Sequence, residues 1–468
     1  MVPKMYKSFI CFIFCVSILI NAIGQETAGQ RLAENLDSLI SSRLPNIAPG
    51  CVVLVAERGK VIYKKAFGLA NMELHVPMQP DMVFRIGSIT KQYTAIAILQ
   101  LVEQGKISLQ DSIQKFINDF PFKGHTITIE NLLTHTSGIV DYEVLNFPIP
   151  TAIRVDFPPK LIIDSLDKLP LDFTPGTKFQ YSNSNYFLLA YVIQQVSGQS
   201  YQDYLVDHLF NPAGLHNTYY DSPAAIIPNR VSGYAMNKSK YSNAGYISMT
   251  QVFGAGALLS NVEDMFTWHQ ALYNYTLVKK ETLDKAFTPH KLSSGDQTEY
   301  GYGWFIKKRN DYPSIEHAGG IDGFQSDEIY FPQQDIFIAT LYNALIDYGD
   351  DMRFMGLDND MATLSIGKQL DPDIQVDTNA VKQYVGRYEN DAKHPVIITL
   401  ENGQLQMEAP KGGLPKSPLF AKSDGTFFLK VIPLEAEFVK DHGKVTQLLI
   451  HYKGKIQVVT KVKLKSPL

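Results

Sequence analysis

Apolar and polar positions fall into three kinds of pattern along the chain. Two early apolar, β-branched-rich runs, 51–56 and 61–67, flank Arg58-Gly59 and predict a β-hairpin. A helical pattern over 31–42 precedes them. Residues 88–104 differ, because Ala95-Ile96-Ala97-Ile98-Leu99 and Leu101-Val102 leave no polar face. That predicts a buried helix, stopped at Gly105. Residues 106–290 read mostly as helices and loops. Within them Ser260, followed three residues later by Glu263, predicts a capping box opening a helix toward Leu272. Strand patterns return at 300–307, 325–331 and 335–342. Strands at both ends with helices between predict an α/β (α+β) domain whose sheet is built from both ends of the segment.

The character changes around 367–376, a polar stretch containing Asp371-Pro372 that reads as a linker. Beyond it, 397–400, 404–407, 426–432 and 445–452 are strand-like. Asn402-Gly403, Asp424-Gly425, His442-Gly443 and Lys453-Gly454 punctuate them, so a small antiparallel β domain is expected. The predicted organisation is a leader at 1–24, a large domain at 25–368 and a β-rich domain at 377–468.

The leader rests on Lys4 and Lys7, the apolar run 9–20 and the small residues of Ala22-Ile23-Gly24. These read as a secretory signal cleaved after Gly24. The apolar run is short for a membrane span. The mature chain is therefore expected to lack a stable span and to be exported, periplasmic or extracellular. Removal of the leader leaves Cys51 as the sole cysteine, excluding an internal disulfide or a thiolate metal cluster; its apolar surroundings predict a buried core position. Hydrophobic residues at 45%, charged residues at 19% and a net charge of -4 fit a globular chain without the basic surface of a nucleic-acid binder. No His-Glu-x-x-His pattern occurs, so no metal or cofactor is expected.

A serine and a lysine three residues apart on a helix share a face. If the helix is buried, the lysine loses hydration, its pKa falls, and the neutral amine can accept the serine proton. Four such pairs occur: Ser88/Lys91, Ser112/Lys115, Ser165/Lys168 and Ser365/Lys368. Only Ser88 opens a long, uncharged helix, so Ser88 and Lys91 are the candidate nucleophile and base. Tyr181-Ser182-Asn183 offers a phenol for proton relay and an amide for a substrate carbonyl; the apolar helical stretch after it, ended by Gly198, favours it over Tyr241/Asn243 and Tyr388/Asn390. His317-Ala318-Gly319-Gly320 lies among the returning strands, where small residues let a backbone approach closely.

Phe84-Arg85-Ile86-Gly87-Ser88-Ile89-Thr90-Lys91, Leu132-Leu133-Thr134-His135-Thr136-Ser137-Gly138, Tyr181-Ser182-Asn183, residues 254–264 and His317-Ala318-Gly319 together resemble the signatures of the serine β-lactamase-related superfamily. That group holds class C β-lactamases, D,D-peptidases and related esterases. The resemblance spans roughly 30–365, while the tail from Tyr384-Val385-Gly386-Arg387-Tyr388 resembles β-rich modules appended to this family. It implies the β-lactamase-like transpeptidase fold, an antiparallel sheet flanked by helices. It also implies acylation of Ser88, proton transfer through Lys91 and Tyr181, substrate binding by Asn183, His317 and Gly319, and an oxyanion hole from the N–H groups of Ser88 and Gly320. His135 is read as part of a structural turn ahead of a mobile stretch at 139–160. Where β-lactamases carry a lysine, this chain has His317, and its one Lys-x-Gly, Lys411-Gly412-Gly413, falls in the β-rich domain. An unperturbed histidine is mostly neutral at pH 7, which shifts the expected substrate from a carboxylate-bearing lactam toward esters and neutral amides. The expected partner is a small-molecule or peptide-like acyl substrate. A slow-acylating or non-catalytic binder of cell-wall fragments or β-lactams stays open as the second reading.

Overall fold

Arg58 and Gly59 both adopt positive φ, 51° and 73°, the geometry that matches a two-residue turn to the twist of its flanking strands. They join β1 (Cys51–Glu57) to β2 (Lys60–Phe67). The computed structural model describes residues 29–462 apart from 45, 118–119, 121–123, 145–153, 238–239, 310, 347–355, 371–375, 391–393, 412–413, 423–424, 430–433 and 453–454. The expected leader at 1–24, the Asp371-Pro372 linker, Gly412-Gly413, Lys453-Gly454 and much of the 139–160 stretch lie outside the described residues.

β1 is uniformly apolar because it is a central strand: it pairs with β2 on one side and with a late strand, β6 (Ile336–Tyr342), on the other. Cys51 is fully buried within it. Between them in sequence come β3 (Phe305–Arg309), β4 (Tyr312–Ile321) and β5 (Phe324–Phe331). The sheet order is β3-β4-β5-β6-β1-β2, every neighbouring pair antiparallel. The edge strand β2 carries Lys60, Lys64 and Lys65, charges that discourage pairing with another chain.

The strand expected at 300–307 begins only at Phe305. Residues before it turn: Gly303 takes φ 91°, a conformation open to glycine, and the Gly301 N–H donates to Trp304 O, which breaks the extended repeat while Tyr300, Tyr302 and Trp304 all stay buried. A first helix, α1 (29–43), precedes the hairpin. The buried helix α2 (Thr90–Glu103) follows a single 3-10 turn, Gly87–Ile89, and packs against α3 (Asn183–Ser197), which ends at Gly198 in the left-handed conformation. Each fully buried leucine or isoleucine on these helices contributes about 1.5–3 kcal/mol relative to exposure. The capping box expected at Ser260 is not formed. Ser260 ends a short strand, and Asn261 caps α4 (Val262–Tyr273) by accepting the Asp264 N–H at 2.8 Å. Helix α4 packs on β1 and β6.

The chain divides into two compact units, residues 1–235 with 241–345, and 236–240 with 346–468. The second contains a closed antiparallel barrel of eight strands: β7 (Gly386–Glu389), β8 (Val396–Glu401), β9 (Gln404–Ala409), β10 (Leu414–Ala421), β11 (Phe427–Leu429), β12 (Leu434–Asp441), β13 (Lys444–Tyr452) and β14 (Lys455–Val462). Pairing of Tyr388 with Lys461 closes the ring. Tyr388, Ile398, Leu405, Met407, Leu448 and Val459 are buried in its own apolar core. Among the described residues, no helix is long and apolar enough to cross a membrane.

Candidate active site

The serine turn is built against the sheet. Phe84-Arg85 pairs with Leu259-Ser260, and the Ile86 N–H donates to Leu258 O at 3.0 Å. Gly87, at φ 47°, then turns the chain so that Ser88 lies in the 3-10 turn ahead of α2. Glycines let this turn seat on β4. A Cβ on Gly319 would lie 2.1 Å from Ile86 O, and one on Gly87 would lie 2.9 Å from Gly320 N. Ser326 on β5 donates to Ile86 O at 2.9 Å, fixing the same carbonyl. Gly319 thus serves close packing of the nucleophile turn, and it is not among the residues lining the cleft.

Lys91 is wholly buried, yet no carboxylate lies within ion-pair distance of it among the described residues. Its Nζ instead meets three oxygens: Ser88 Oγ at 2.9 Å, Asn183 Oδ1 at 2.8 Å and Ala255 O at 2.8 Å. Burial pulls its pKa down to about 7, partly opposed by the charges of Asp141 and Glu143. A neutral amine has two N–H groups and one lone pair. Asn183 Oδ1 and Ala255 O can only accept, so they take the two N–H groups and the lone pair faces the Ser88 hydroxyl.

Tyr181 packs its ring 4.9 Å from Lys91 Nζ. Its hydroxyl faces Ser88, which favours the phenolate, but burial outweighs this and pushes the phenol well above its ordinary range. His135 supports that ring at a centroid separation of 4.3 Å. In a turn at φ 55°, His135 accepts the Ser182 N–H on Nδ1 at 3.2 Å, and burial first, then the Lys91 charge, holds it neutral. His317 also lies behind the cleft. Its Nδ1 faces Ala318 O at 2.6 Å and its Nε2 the Tyr300 hydroxyl at 3.1 Å. Since a carbonyl only accepts, Nδ1 carries the proton and Nε2 accepts from Tyr300. Burial, aided by Lys91, lowers its pKa to about 3. Both ring nitrogens are therefore engaged within the protein, and His317 presents neither charge nor a free donor to a substrate.

The cleft in front of Ser88 has a volume of about 240 Å³ and is lined also by Asn183, Ala255 and Gly320. Of the expected residues, Ser88, Lys91, Tyr181 and Asn183 converge, and Gly320 joins Ser88 on the wall. Three contributors were missed by sequence reasoning. The Ala255 carbonyl is a main-chain group that residue types do not reveal; its only trace was the 254–264 signature. Asp141 and Glu143 follow the Thr136–Gly138 turn in a segment read as loop. Asp141 accepts the Asn183 N–H at 2.7 Å at the start of α3, and Glu143 accepts from Asn183 Nδ2 at 2.8 Å. Burial, then Asp141, raises the pKa of Glu143. Among the described residues no group of three or more His, Cys, Asp or Glu side chains is placed to hold a metal ion.

Comparison with known proteins points the same way. A family model described as Beta-lactamase matches residues 36–353, and one for a domain of unknown function, DUF3471, matches 370–462. A penicillin-binding protein of Bacillus subtilis (strain 168) is 27% identical over 88% of this chain and 94% of its own length. Among solved structures, an octameric penicillin-binding protein homologue from Pyrococcus abyssi superposes with a TM-score of 0.65 at 24% identity, covering 92% of this chain and 98% of that one. A D-stereospecific amidohydrolase from Streptomyces sp. gives a TM-score of 0.58 at 25% identity over 67% and 94%. A family match across most of the sequence, on a sheet and helices arranged as in penicillin-binding protein homologues, establishes that this chain belongs to the β-lactamase family.

Proposed function

We propose that this chain is an exported serine acyl hydrolase that forms an acyl-enzyme on Ser88 from ester or peptide-like substrates. The observation that carries it is the hydrogen-bonding of Lys91: two of its three partners can only accept, so its neutral form aims a lone pair at a hydroxyl 2.9 Å away. Lys91 takes the Ser88 proton as Oγ attacks the carbonyl carbon. The oxyanion is received by the N–H groups of Ser88 and Gly320, both on the cleft wall. Tyr181, held as a neutral phenol, donates to the leaving group and recovers a proton from the Lys91 ammonium. One Asn183 Nδ2 hydrogen goes to Glu143, leaving the second for the substrate carbonyl. Water then resolves the acyl-enzyme.

Export is part of the proposal and is supported by the basic start, apolar run and small residues of 1–24. The division 25–368 and 377–468 is supported by the two family matches. A relative that is a penicillin-binding protein and a structural neighbour that is a D-stereospecific amidohydrolase fit amide or lactam acyl donors. The test is intact-mass analysis after incubation with a fluorophosphonate, on the wild type and on Ser88→Ala. A single adduct lost in Ser88→Ala is expected, and equal labelling of both proteins would remove Ser88 from this role.

A further inference from the structure

The charge of the cleft sets which acyl donors can enter it. Among the described residues, two carboxylates, Glu143 and Asp322, line it, and no lysine, arginine or histidine does. Neither carboxylate has a cationic partner in ion-pair distance among the described residues. Glu143 uses one oxygen to accept from Asn183 Nδ2, and its other oxygen has no partner among these residues. Asp322 sits in the two-residue turn between β4 and β5, two residues beyond Gly320. Lys91, the basic group behind the serine, is sealed in and bonded to Ser88, Asn183 and Ala255. His317, at the position that could have supplied a positive charge, has both ring nitrogens turned to Ala318 and Tyr300. A substrate carboxylate therefore meets like charge on this wall and finds no counter-ion among the described residues. The remaining wall is apolar, with Ile247, Val252, Ile321 and Leu345.

We propose that the cleft selects an acyl donor with an apolar body and a protonated amine, the ammonium being held by the carboxylates of Glu143 and Asp322. The inference rests on the Ser88 acyl-enzyme reading. It names two specificity-determining residues outside the Ser-Lys-Tyr cluster. An ammonium provides three N–H donors, which matches the acceptors left over here, the second oxygen of Glu143 and the carboxylate of Asp322.

The experiment compares the full-length chain on nitroanilides of alanine, N-acetylalanine and N-succinylalanine, each as both enantiomers, so that charge runs from positive through neutral to negative. Fluorophosphonate labelling of Ser88 is followed in the same preparation. For the preferred enantiomer, kcat/KM should fall from the free amine to the acetyl compound by roughly 10- to 100-fold, the scale of losing hydrogen bonds to a charged group, and further for the succinyl compound. Glu143→Gln and Asp322→Asn should each shrink the amine-to-acetyl ratio several-fold, and Asp322→Lys should raise the relative rate on the succinyl compound. Asp322 variants keep the test valid if Glu143→Gln disturbs Asn183. No preference for the free amine, with Ser88 still labelled, overturns the inference and leaves the acyl-enzyme reading standing. Absence of labelling removes that reading and the inference with it.

Discussion

Ser88/Lys91 and Ser112/Lys115 share one spacing and nothing else. Lys115 is 56% exposed and pairs with Asp111 at 2.8 Å, while Ser112 bonds to Gln114. Lys91 is wholly buried and faces three oxygens, none of them a carboxylate. Water and a neighbouring anion stabilise the first ammonium; the interior withdraws both from the second. A Ser-x-x-Lys spelling thus specifies proximity, and burial decides whether proximity becomes basicity.

The contrast can be broken most sharply at the lysines. Lys91→Arg keeps a cation that cannot be neutralised, so single-turnover acylation of Ser88 should fall by about 1,000-fold, within the usual range for loss of a general base. Lys115→Met should leave that rate within about threefold and change unfolding stability by less than about 1 kcal/mol, as for exposed ion pairs. Tyr181→Phe comes next. It keeps the ring that packs on His135 and removes only the hydroxyl, so turnover should drop by about 100-fold with little change in thermal midpoint.

The smallest effect concerns pH. Because only the neutral Lys91 amine accepts the serine proton, acylation should rise with pH through about 7 and level off above it. The Asp141 charge favours the ammonium, so Asp141→Asn should move that midpoint to lower pH, read from labelling rates across a pH series. A midpoint near the ordinary lysine value would show that residue 91 is solvated during reaction.

Much of this was legible because burial leaves a mark in composition. A helix with no charge between Lys91 and its terminal Glu103 announces that this lysine is sealed in, and Tyr181 and Asn183 are placed by the apolar helix that follows them. Arg58-Gly59, Asn402-Gly403 and His442-Gly443 carried their own turn geometry, all at positive φ. What stayed hidden depends on tertiary contact. The Ala255 carbonyl has no residue-type signature. The facing of His317 toward Tyr300 follows from the path of β4, a strand whose Pro313 and paired glycines obscure its pattern. At Ser260, Asn261 won the cap because the preceding serine was already committed to a strand pairing with Phe84. Barrel closure joins Tyr388 to Lys461, a pairing that local patterns do not encode.

The sheet that seats the serine turn joins residues 51–57 to 336–342. During synthesis the ribosome therefore delivers residue 91 long before the strand carrying Gly319 and Gly320. A chain that lacks that strand has an unfinished sheet beneath the serine turn, and an amine still open to water there is expected to hold its proton at neutral pH. The reactive centre is thus completed late, together with the sheet, so chains cut short before residue 317 are expected to be chemically silent even though they already contain the serine and its lysine.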